Sequence, residues 1–525
     1  MSSPAAFARL LRAGFILTRE GVFAALPAEG LEGAPRLAHR LASVLARRST
    51  SARDRGERMS RALNRLGPSY VKMGQFLATR PDVVGRDIAA DLAALQDRMA
   101  HFPTAEARKR IEASLGRPVE EVFLTLGEPV AAASIAQVHP ATVRAADGVR
   151  KKAVKVIRPG VRARFARDNE TMLLAAQLQE NYIDGARRLR PVEVARTLER
   201  TTKIEMDLRL EAAAYSEMAE NTTNDPGFRL PVIDWERTGR DVLTMEWIDG
   251  VKMSDIAGLA AAGHDLKKLA ASLVQSFLRH ALRDGFFHAD MHPGNLFVDA
   301  AGDIVAVDLG IMGRLGLKER RYLAEILYGF IRRDYRRVAE VHFEAGYVPP
   351  EHDPASFAQA IRAIGEPIHG QPAETISMAR LLTLLFEVTE LFDMQTRPEL
   401  LLLQKTMVVV EGVARTLDPA FNMWKTAEPV VGDWIAGNLG PAALLADARA
   451  GAGALLSLAR QAPELAARTE RLSREIDAMA EHGLRFDAQT AEAIGKAEAR
   501  HGRSGRIALW IIAAAAVWIA WSLAH

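Results

Sequence analysis

Residue types that phosphoryl transfer needs are concentrated in one short segment, which reads His-Ala-Asp-Met-His-Pro-Gly-Asn from His288 to Asn295. A carboxylate such as Asp290 can orient or deprotonate an attacking hydroxyl group or water molecule. The amide oxygen of Asn295 and the carboxylate of Asp308, which opens an Asp-Leu-Gly triplet, can hold Mg²⁺ against nucleotide phosphates. The segment therefore predicts a magnesium-dependent phosphoryl-transfer site.

The residues between Asn295 and Asp308 predict a β-hairpin. Two short apolar runs flank the turn-forming sequence Asp-Ala-Ala-Gly-Asp. Such a hairpin places Asn295 and Asp308 at the same end of two neighbouring strands. Asp299 and Asp303 are interpreted as turn residues, because turns favour aspartate.

An alternative interpretation makes His288, Asp290 and His292 the ligands of a metal ion, because alternate residues of a strand point to the same face. It leaves Asp308 and the Pro-Gly-Asn sequence without a role, so the nucleotide interpretation is preferred. The interval from Asp290 to Asn295 is also that of the protein-kinase catalytic loop, H-R-D-x-x-x-x-N.

The composition of the 525-residue chain excludes several classes of function. Cysteine is absent, so the chain has no disulfide framework, thiolate metal site or cysteine nucleophile. The net charge of +3 is too small to indicate nucleic acid as the main partner. Between Arg36 and Arg65, nine arginines face only two acidic residues. They are either solvated helix faces or a surface attracted to anionic lipids.

Residues 507–524 contain no charged side chain and predict a single membrane-spanning helix. Eighteen helical residues cover about 27 Å, close to a hydrocarbon core of roughly 30 Å. Basic residues precede the segment, so the positive-inside rule places its N-terminal side, and hence the bulk of the protein, on the cytoplasmic side of the membrane. The alternatives are a buried terminal helix and a helix that lies in the interface.

The N-terminus lacks the pattern of a cleavable signal, because arginines interrupt each of its apolar runs. Its apolar residues instead recur at helical spacing, which predicts an amphipathic helix able to lie on a membrane. These residues are Phe7, Leu10, Leu11 and Phe15.

The order of β-prone and helical segments predicts an α+β, bilobal protein-kinase-like fold with a helical N-terminal extension and a C-terminal transmembrane helix. The predicted parts are a basic helical extension (1–65), a second helical segment (66–118), a kinase-like N-lobe (119–250), a helical C-lobe (251–435), a helical linker (436–504) and the transmembrane helix (505–525).

Lys155 lies inside the apolar run Ala-Val-Lys-Val-Ile, a predicted strand. A buried ammonium group needs a partner; the alternative is an edge lysine that points to solvent. Glu205, Asp207 and Glu211 are candidate partners on one long helix predicted for residues 190–221. At about 100° per residue, Asp207 and Glu211 share a face of that helix and Glu205 lies nearly opposite. Two different partners are therefore expected.

No G-x-G-x-x-G sequence precedes the lysine strand, and an alanine-rich loop with the sequence AAASIAQVH takes its place. Alanine narrows the accessible backbone angles, because its Cβ penalises positive φ, but its N–H groups can still face phosphate oxygens. The predicted phosphate-binding residues are Ala131, Ala132, Ala133, Ser134, Ile135 and Ala136.

Four motifs together resemble the UbiB-type atypical kinase family, also called the ADCK family, and its bacterial ubiquinone-biosynthesis members. They are Lys72-Met73-Gly74-Gln75, the alanine-rich loop, Glu205-Met206-Asp207, and HADMHPGN with Asp308-Leu309-Gly310. The resemblance covers roughly residues 65–425, and the K-x-G-Q motif and alanine loop are absent from ordinary kinases. Two departures are Lys152, where the family's strand begins with an apolar residue, and a single terminal span where many members carry two.

The resemblance implies a protein that binds ATP with Mg²⁺ and supports ubiquinone (coenzyme Q) biosynthesis. It implies catalytic roles for Asp290 and Lys155, metal binding by Asn295 and Asp308, and an ion pair between Lys155 and Glu211.

The resemblance also assigns roles outside the catalytic hairpin. Lys72 and Gln75 are implied to occupy the region where a kinase admits a peptide, with Lys72 facing Glu205 and Asp207 as a regulatory contact. The strand Met245-Glu246-Trp247 is implied to be the hinge whose backbone meets adenine.

An alanine loop and a filled peptide cleft favour ATP hydrolysis coupled to extracting or presenting polyprenylated quinone precursors. A nucleotide-switched pseudokinase scaffold and a conventional protein kinase are the alternatives. The implied partners are polyprenyl quinone precursors, anionic lipids and other ubiquinone-biosynthesis enzymes. The phosphate acceptor stays open between water, lipid and protein, and so does the oligomeric state, with a homodimer among the options.

Overall fold

The computed structural model describes residues 4–23, 44–46, 55–78, 84, 86–93, 99–146, 148–182, 190–369, 388, 391–394 and 398–439. Its helices are α1 (Pro4–Arg19), α2 (Arg55–Leu66), α3 (Pro68–Ala78), α4 (Arg86–Ala93), α5 (Thr104–Leu115), α6 (Val119–Val122), α7 (Val161–Tyr182), α8 (Pro191–Glu205), α9 (Leu208–Asn221), α10 (Ile256–Ala261), α11 (Leu266–Arg279), α12 (Leu317–Arg332), α13 (Tyr335–Glu344), α14 (Pro354–His369), α15 (Pro398–Leu417) and α16 (Met423–Leu439).

The strands are β1 (Thr125–Leu126), β2 (Ala131–Ala132), β3 (Ala136–Ala145), β4 (Gly148–Ile157), β5 (Phe228–Arg229), β6 (Val242–Glu246), β7 (Gly250–Lys252), β8 (Phe286–His288), β9 (Leu296–Asp299), β10 (Ile304–Ala306) and β11 (Met312–Arg314). Within the described ranges, no helix combines the length and apolarity needed to cross a bilayer. The predicted transmembrane helix and most of the predicted linker lie outside those ranges.

An antiparallel sheet forms the first part of the kinase-like region, in the order β1-β3-β4-β6, and β2 pairs with β3. The long β3–β4 hairpin turns at Gly148, whose φ of +126° is accessible to glycine. The small antiparallel sheet predicted for this stretch is therefore confirmed.

Strand β4 separates its two faces by simple alternation. Val154 and Val156 are fully buried and pack with Ala107 and Ile111 of α5, which covers one face of the sheet. Lys155 lies between them in sequence and points to the opposite face. The strand pattern thus directs the lysine away from the apolar layer.

The long helix predicted for residues 190–221 is wrong in one respect: it is two helices, α8 and α9, with a break at Met206 and Asp207. Asp207 has an extended backbone, and its carboxylate accepts the N–H of Arg209 at the start of α9. Aspartate favours this N-cap geometry over the interior of a helix. Arg162 braces the break by donating a hydrogen bond to the carbonyl of Met206.

A second sheet, in the order β5-β10-β9-β7, carries the predicted catalytic hairpin. Strands β9 and β10 pair antiparallel, and Gly302 takes a φ of +89° in the turn. The carboxylate of Asp299 accepts the N–H groups of Ala301 and Asp303. This confirms the hairpin and the turn role of Asp299. Strand β5 lies at the edge of this sheet and pairs parallel with β10.

Helices dominate the chain after β7, as the sequence predicted. Leu273, Val274 and Phe277 of α11 are fully buried, and α11 packs against α15 in the largest core cluster. A separate apolar cluster joins α1, α2 and α3 around Leu63 and Val71.

Strand β11 follows the Asp-Leu-Gly triplet and pairs with β8, which ends at His288. Gly313 in β11 is opposite Phe287, whose ring fills the space that a side chain would need: a Cβ at position 313 would lie 2.2 Å from the ring. Phe287 is itself fully buried, so it has little room to move.

The substitution Gly313→Ala is therefore expected to destabilise the protein by about 1–3 kcal/mol through overpacking. A fall in the thermal unfolding midpoint measures the effect. The matched control is Gly412→Ala in α15, where an added Cβ meets nothing within 4 Å. There, a slight gain in stability is expected from the helix propensity of alanine. Equal midpoints for the two variants would contradict the packing of β11 on β8.

Candidate functional site

Lys155 lies between two carboxylates. Its Nζ donates hydrogen bonds to Glu211 Oε1 at 2.8 Å and Oε2 at 3.0 Å, and it lies 3.3 Å from Asp308 Oδ1. Lys155 is 8% exposed and Glu211 7% exposed, whereas the Asp308 side chain is 43% exposed. The ion pair with Glu211 is thus present, and an edge lysine that points to solvent is excluded.

The three charges shift one another's protonation. Burial opposes the charged form of Lys155, but the carboxylates of Asp308 and Glu211 outweigh burial and raise the pKa of the lysine. The pKa of Glu211 is raised, chiefly by burial, although the neighbouring charge of Lys155 acts in the opposite direction. Burial also acts to raise the pKa of Asp308, but Lys155 and the N–H of Gly310 outweigh burial and lower it. Lys155 and Asp308 are therefore both charged at neutral pH.

The catalytic hairpin brings Asp290, Asn295 and Asp308 together. The N–H of Val307 donates to the carbonyl of Asn295 at 3.0 Å, which holds the two strand ends side by side. Asn295 Nδ2 donates to both the carbonyl and the Oδ2 of Asp290, each at 3.2 Å. This orientation leaves the amide oxygen Oδ1 of Asn295 as the atom available for a cation.

The two histidines of the segment have structural roles. His288 is fully buried, and its Nδ1 accepts the N–H of Asp290 at 3.2 Å; burial lowers its pKa, so the ring is neutral at pH 7. His292 Nδ1 accepts the N–H of Gly294 at 3.1 Å. No cluster of three or more histidine or acidic side chains within the described ranges has the geometry of a metal site. The alternative with His288, Asp290 and His292 as ligands therefore finds no support.

Lys72 of α3 forms an ion pair with Glu205 at 2.6 Å, and the two side chains are 12% and 5% exposed. Asp207 does not share this contact, because it caps α9 and pairs with Arg209 at 2.7 Å. Lys72 was expected to face both Glu205 and Asp207, and the structure shows an ion pair with Glu205. Gln75 lies one turn further along α3 and is half-buried.

The alanine loop is built without positive φ angles; the described residues that have them lie elsewhere. Arg158, at the end of β4, holds the loop in place. Its Nε donates to the carbonyl of Ala133 and its backbone N–H to that of Ile135, both at 2.8 Å. Two carbonyl groups of the loop therefore have partners within the protein. Ser134 and Ala136 are buried, whereas Ala131 is exposed.

Gln137 and His139, near the end of the AAASIAQVH motif, form hydrogen bonds within the protein. The side chain of Gln137 accepts the N–H of Phe102 at 2.9 Å and donates to the carbonyl of the same residue at 3.0 Å. His139 Nε2 lies 2.8 Å from Gln137 Nε2, and its Nδ1 lies 2.8 Å from the carbonyl of Gly127. These contacts fasten the entry of α5 to the sheet.

Two N–H groups of the predicted hinge strand already have partners within the protein. Glu246 donates its N–H to the carbonyl of Val232 at 2.9 Å, and Trp247 donates to Lys151 at 3.4 Å. Met245 is 3% exposed. Adenine binding by the backbone of this strand stays a prediction.

Arg229 connects strand β6 to the β9–β10 hairpin and was not identified from the sequence. Its guanidinium lies 3.1 Å from Glu246 and 2.7 Å from Asp299. A single arginine after a short strand carries no sequence signal of such a role. The same holds for Arg158, whose neighbours in the chain do not indicate its loop contacts.

Comparisons with known proteins agree with this geometry. Residues 94–342 match the model of the ABC1 atypical kinase-like domain, and residues 361–422 match the UbiB helical domain. A Marinobacter nauticus protein named "Probable protein kinase UbiB" is 43% identical over 396 residues, which are 74% of this chain and 72% of that protein. The chain belongs to the UbiB family. A protein of the same name in Aeromonas hydrophila is 40% identical and covers 84% of this chain and 81% of its own.

A solved structure supports the fold of this UbiB-family protein. The structure, an erythromycin complex from Mycobacterium tuberculosis, covers 71% of this chain and 96% of its own, with a TM-score of 0.50. Its sequence identity is 24%, so the similarity shows the fold alone. The kinase-like α+β fold predicted from the sequence is thus confirmed, while the roles of the individual site residues stay predictions.

Removing Lys155 from this UbiB-family protein should expose the energetic role of the buried ion pair. Lys155→Met leaves Glu211 buried without a partner and is expected to cost about 3–5 kcal/mol of unfolding free energy. The double variant Lys155→Met/Glu211→Leu is expected to be less destabilised than the single one, because no unpaired charge remains at Glu211. Denaturant unfolding midpoints measure both.

The control is Lys151→Met on the same strand, whose side chain is 66% exposed and pairs loosely with Asp249 at 3.7 Å. A change of less than about 0.5 kcal/mol is expected there. A double variant as unstable as the sum of its two single variants would show that Lys155 and Glu211 do not act as a pair.

Proposed function

We propose that the protein is a kinase-like ATPase that binds ATP with Mg²⁺ and supports ubiquinone biosynthesis at the inner membrane, acting on or presenting polyprenylated quinone precursors. The observation that carries the proposal is Lys155 held by Glu211 beside the Asp308 carboxylate, next to the hairpin that bears Asp290 and Asn295. The printed names of the UbiB relatives support the kinase part.

Lys155 is the proposed phosphate-binding group. Its charge is secure at neutral pH, since the two carboxylates raise its pKa. A cation already positioned by Glu211 needs little reorganisation to meet phosphate oxygens, which is how preorganised charges stabilise phosphoryl transfer.

Two oxygen atoms fit a magnesium ion. Asn295 uses its Nδ2 to bind Asp290, which leaves Oδ1 free. Asp308 uses Oδ1 to bind Lys155 and the N–H of Gly310, so Oδ2 is its proposed metal-binding oxygen. Amide and carboxylate oxygens are the hard ligands that Mg²⁺ prefers. When bound, the ion would neutralise charge on the phosphates.

Asp290 is the proposed residue that orients the attacking oxygen and accepts its proton. Its Oδ2 is fixed by the hydrogen bond from Asn295, so Oδ1 is the proposed proton acceptor. Such positioning is the main contribution that a carboxylate makes in this chemistry.

The acceptor is proposed to be water or a small lipid rather than a separate polypeptide. The Lys72–Glu205 ion pair ties α3 to α8, which supports the implied placement of the K-x-G-Q helix over the region where kinases admit a peptide. Protein phosphorylation is the second candidate, because the relatives are named as protein kinases.

Helix α1 supports the proposed contact with anionic lipid. Ala13 and Ile16 are buried, and the helix packs on α7. A second apolar row stays exposed: Phe7 at 52%, Leu11 at 61% and Phe15 at 60%. A docked helix that retains an exposed apolar row beside arginines has the character of an interfacial membrane contact.

The catalytic proposal predicts Mg²⁺-dependent ATP turnover in the full-length protein reconstituted in anionic lipid. Asp308→Asn should abolish turnover, because it removes the charge of a metal ligand. Asp290→Asn should lower turnover by about 10²–10⁴-fold and retain nucleotide binding. Labelled ATP, followed by separation of orthophosphate, lipid and polypeptide, measures the rate and identifies the acceptor.

The matched control is Asp303→Asn, the same change at the turn of the same hairpin, which should leave turnover unchanged. Label on a separate polypeptide would favour the protein-kinase candidate. Nucleotide binding without turnover in any lipid would favour the scaffold, and the proposed ATPase would then be wrong.

The lipid proposal is tested through the absence of cysteine, which permits single-site labelling. An environment-sensitive dye on Leu11→Cys should shift its emission to the blue in anionic nanodiscs and less in neutral ones, because α1 enters the apolar interface. The control is Leu317→Cys, a leucine that is 76% exposed on α12. Identical spectra at the two sites in every lipid would exclude α1 as the membrane contact.

A further inference from the structure

A cavity of about 310 Å³ lies between α3, α7 and α8. None of the residues proposed to bind nucleotide or metal lines it. Its wall is mainly apolar, with Phe165, Met172, Leu198 and Met206 among the lining side chains. The cavity therefore offers a site separate from the one already described.

Two polar atoms in the wall have no hydrogen-bond partner among the residues that the structure describes. They are Ser69 Oγ from α3 and Asn169 Oδ1 from α7. Ser69 is 2% exposed and Asn169 9% exposed, and both line the cavity. Buried polar groups in proteins are almost always paired, since an unpaired group retains its full desolvation penalty. Asn169 Oδ1 is an acceptor and Ser69 Oγ belongs to a hydroxyl group. Their position in one apolar cavity indicates a ligand that supplies the missing partners.

The charged groups at the cavity do not favour an anion. Arg162 pairs with Asp241 at 2.6 Å, and Lys203 pairs with Glu199 at 2.7 Å. The charges of these two side chains are balanced within the protein. Arg240, the third basic residue of the wall, is exposed to solvent. The buried atoms of the wall that lack a partner among the described residues are therefore neutral hydrogen-bonding groups.

We propose that this cavity binds a compact, apolar molecule that carries one hydroxyl group. The ligand hydroxyl donates to Asn169 Oδ1 and accepts from the Ser69 hydroxyl, while its carbon skeleton contacts Phe165, Met172 and Leu198. Ligand pockets run from about 300 to 1,000 Å³. A cavity at the lower end of that range suits a molecule of one ring rather than a long polyprenyl chain.

The location gives such a ligand a structural consequence. Ser69 lies one turn before Lys72 on α3, and Leu198 lies on α8, which ends at Glu205. An occupant therefore contacts both helices that the Lys72–Glu205 ion pair joins.

The test compares benzyl alcohol with ethylbenzene, in which a methyl group replaces the hydroxyl. Binding to the full-length protein is measured by titration calorimetry. Benzyl alcohol is expected to bind at least about tenfold more tightly, because a site that hydrogen-bonds a hydroxyl rejects the analogue lacking it. Asn169→Leu should remove that preference, since it deletes the acceptor and keeps the volume.

A second pair of variants tests the location. Ala166→Phe, at the exposed edge of the cavity, should weaken both ligands at least about tenfold by filling space. Ala163→Phe, an exposed alanine on the same helix that does not line the cavity, should weaken neither. If Asn169→Leu does not fold, Ser69→Ala provides the same measurement with a smaller loss of preference. Equal affinities for the two probes, a preference that survives both polar substitutions, or no binding of either probe would each overturn the proposal.

Discussion

A buried ammonium group needs negative charge beside it, and the structure around Lys155 is arranged to provide that charge. Strand β4 turns the lysine away from the apolar layer that holds Val154 and Val156. Helix α9 supplies Glu211, and the catalytic hairpin supplies Asp308. A charged group of this kind is tolerated only when its partners are fixed in place. The sheet, the helix and the hairpin are therefore bound to one another through a single side chain.

The alanine loop, which is predicted to bind phosphate, takes its shape without glycine. Glycine loops gain their conformations through positive φ, which alanine resists. Here the loop avoids those angles, and Arg158 fixes two of its carbonyl groups instead. A rigid loop selects fewer ligand poses than a glycine loop, at little entropic cost upon binding.

Sequence reasoning predicted the parts of the site that obey local rules. The hairpin was identified from its turn residues, and Lys155 from the apolar strand that surrounds it. The sequence did not reveal the break between α8 and α9, so the directions of Glu205 and Glu211 were predicted from one continuous helix. The break depends on the capping of α9 by Asp207 and on the hydrogen bond from Arg162 to the Met206 carbonyl. Arg229 and Gln137 were missed, since their partners lie far away in sequence and no local pattern encodes such contacts.

The break between α8 and α9 has a consequence for how the molecule can change over time. A continuous helix carries its angular phase from end to end, so that one inserted residue rotates everything beyond it by about 100°. A break ends this angular relation, so the direction of Glu211 on α9 does not depend on the number of residues in α8. The N-terminal helices that meet α8 through Lys72 can thus be lengthened, shortened or exchanged during evolution without turning Glu211 away from Lys155.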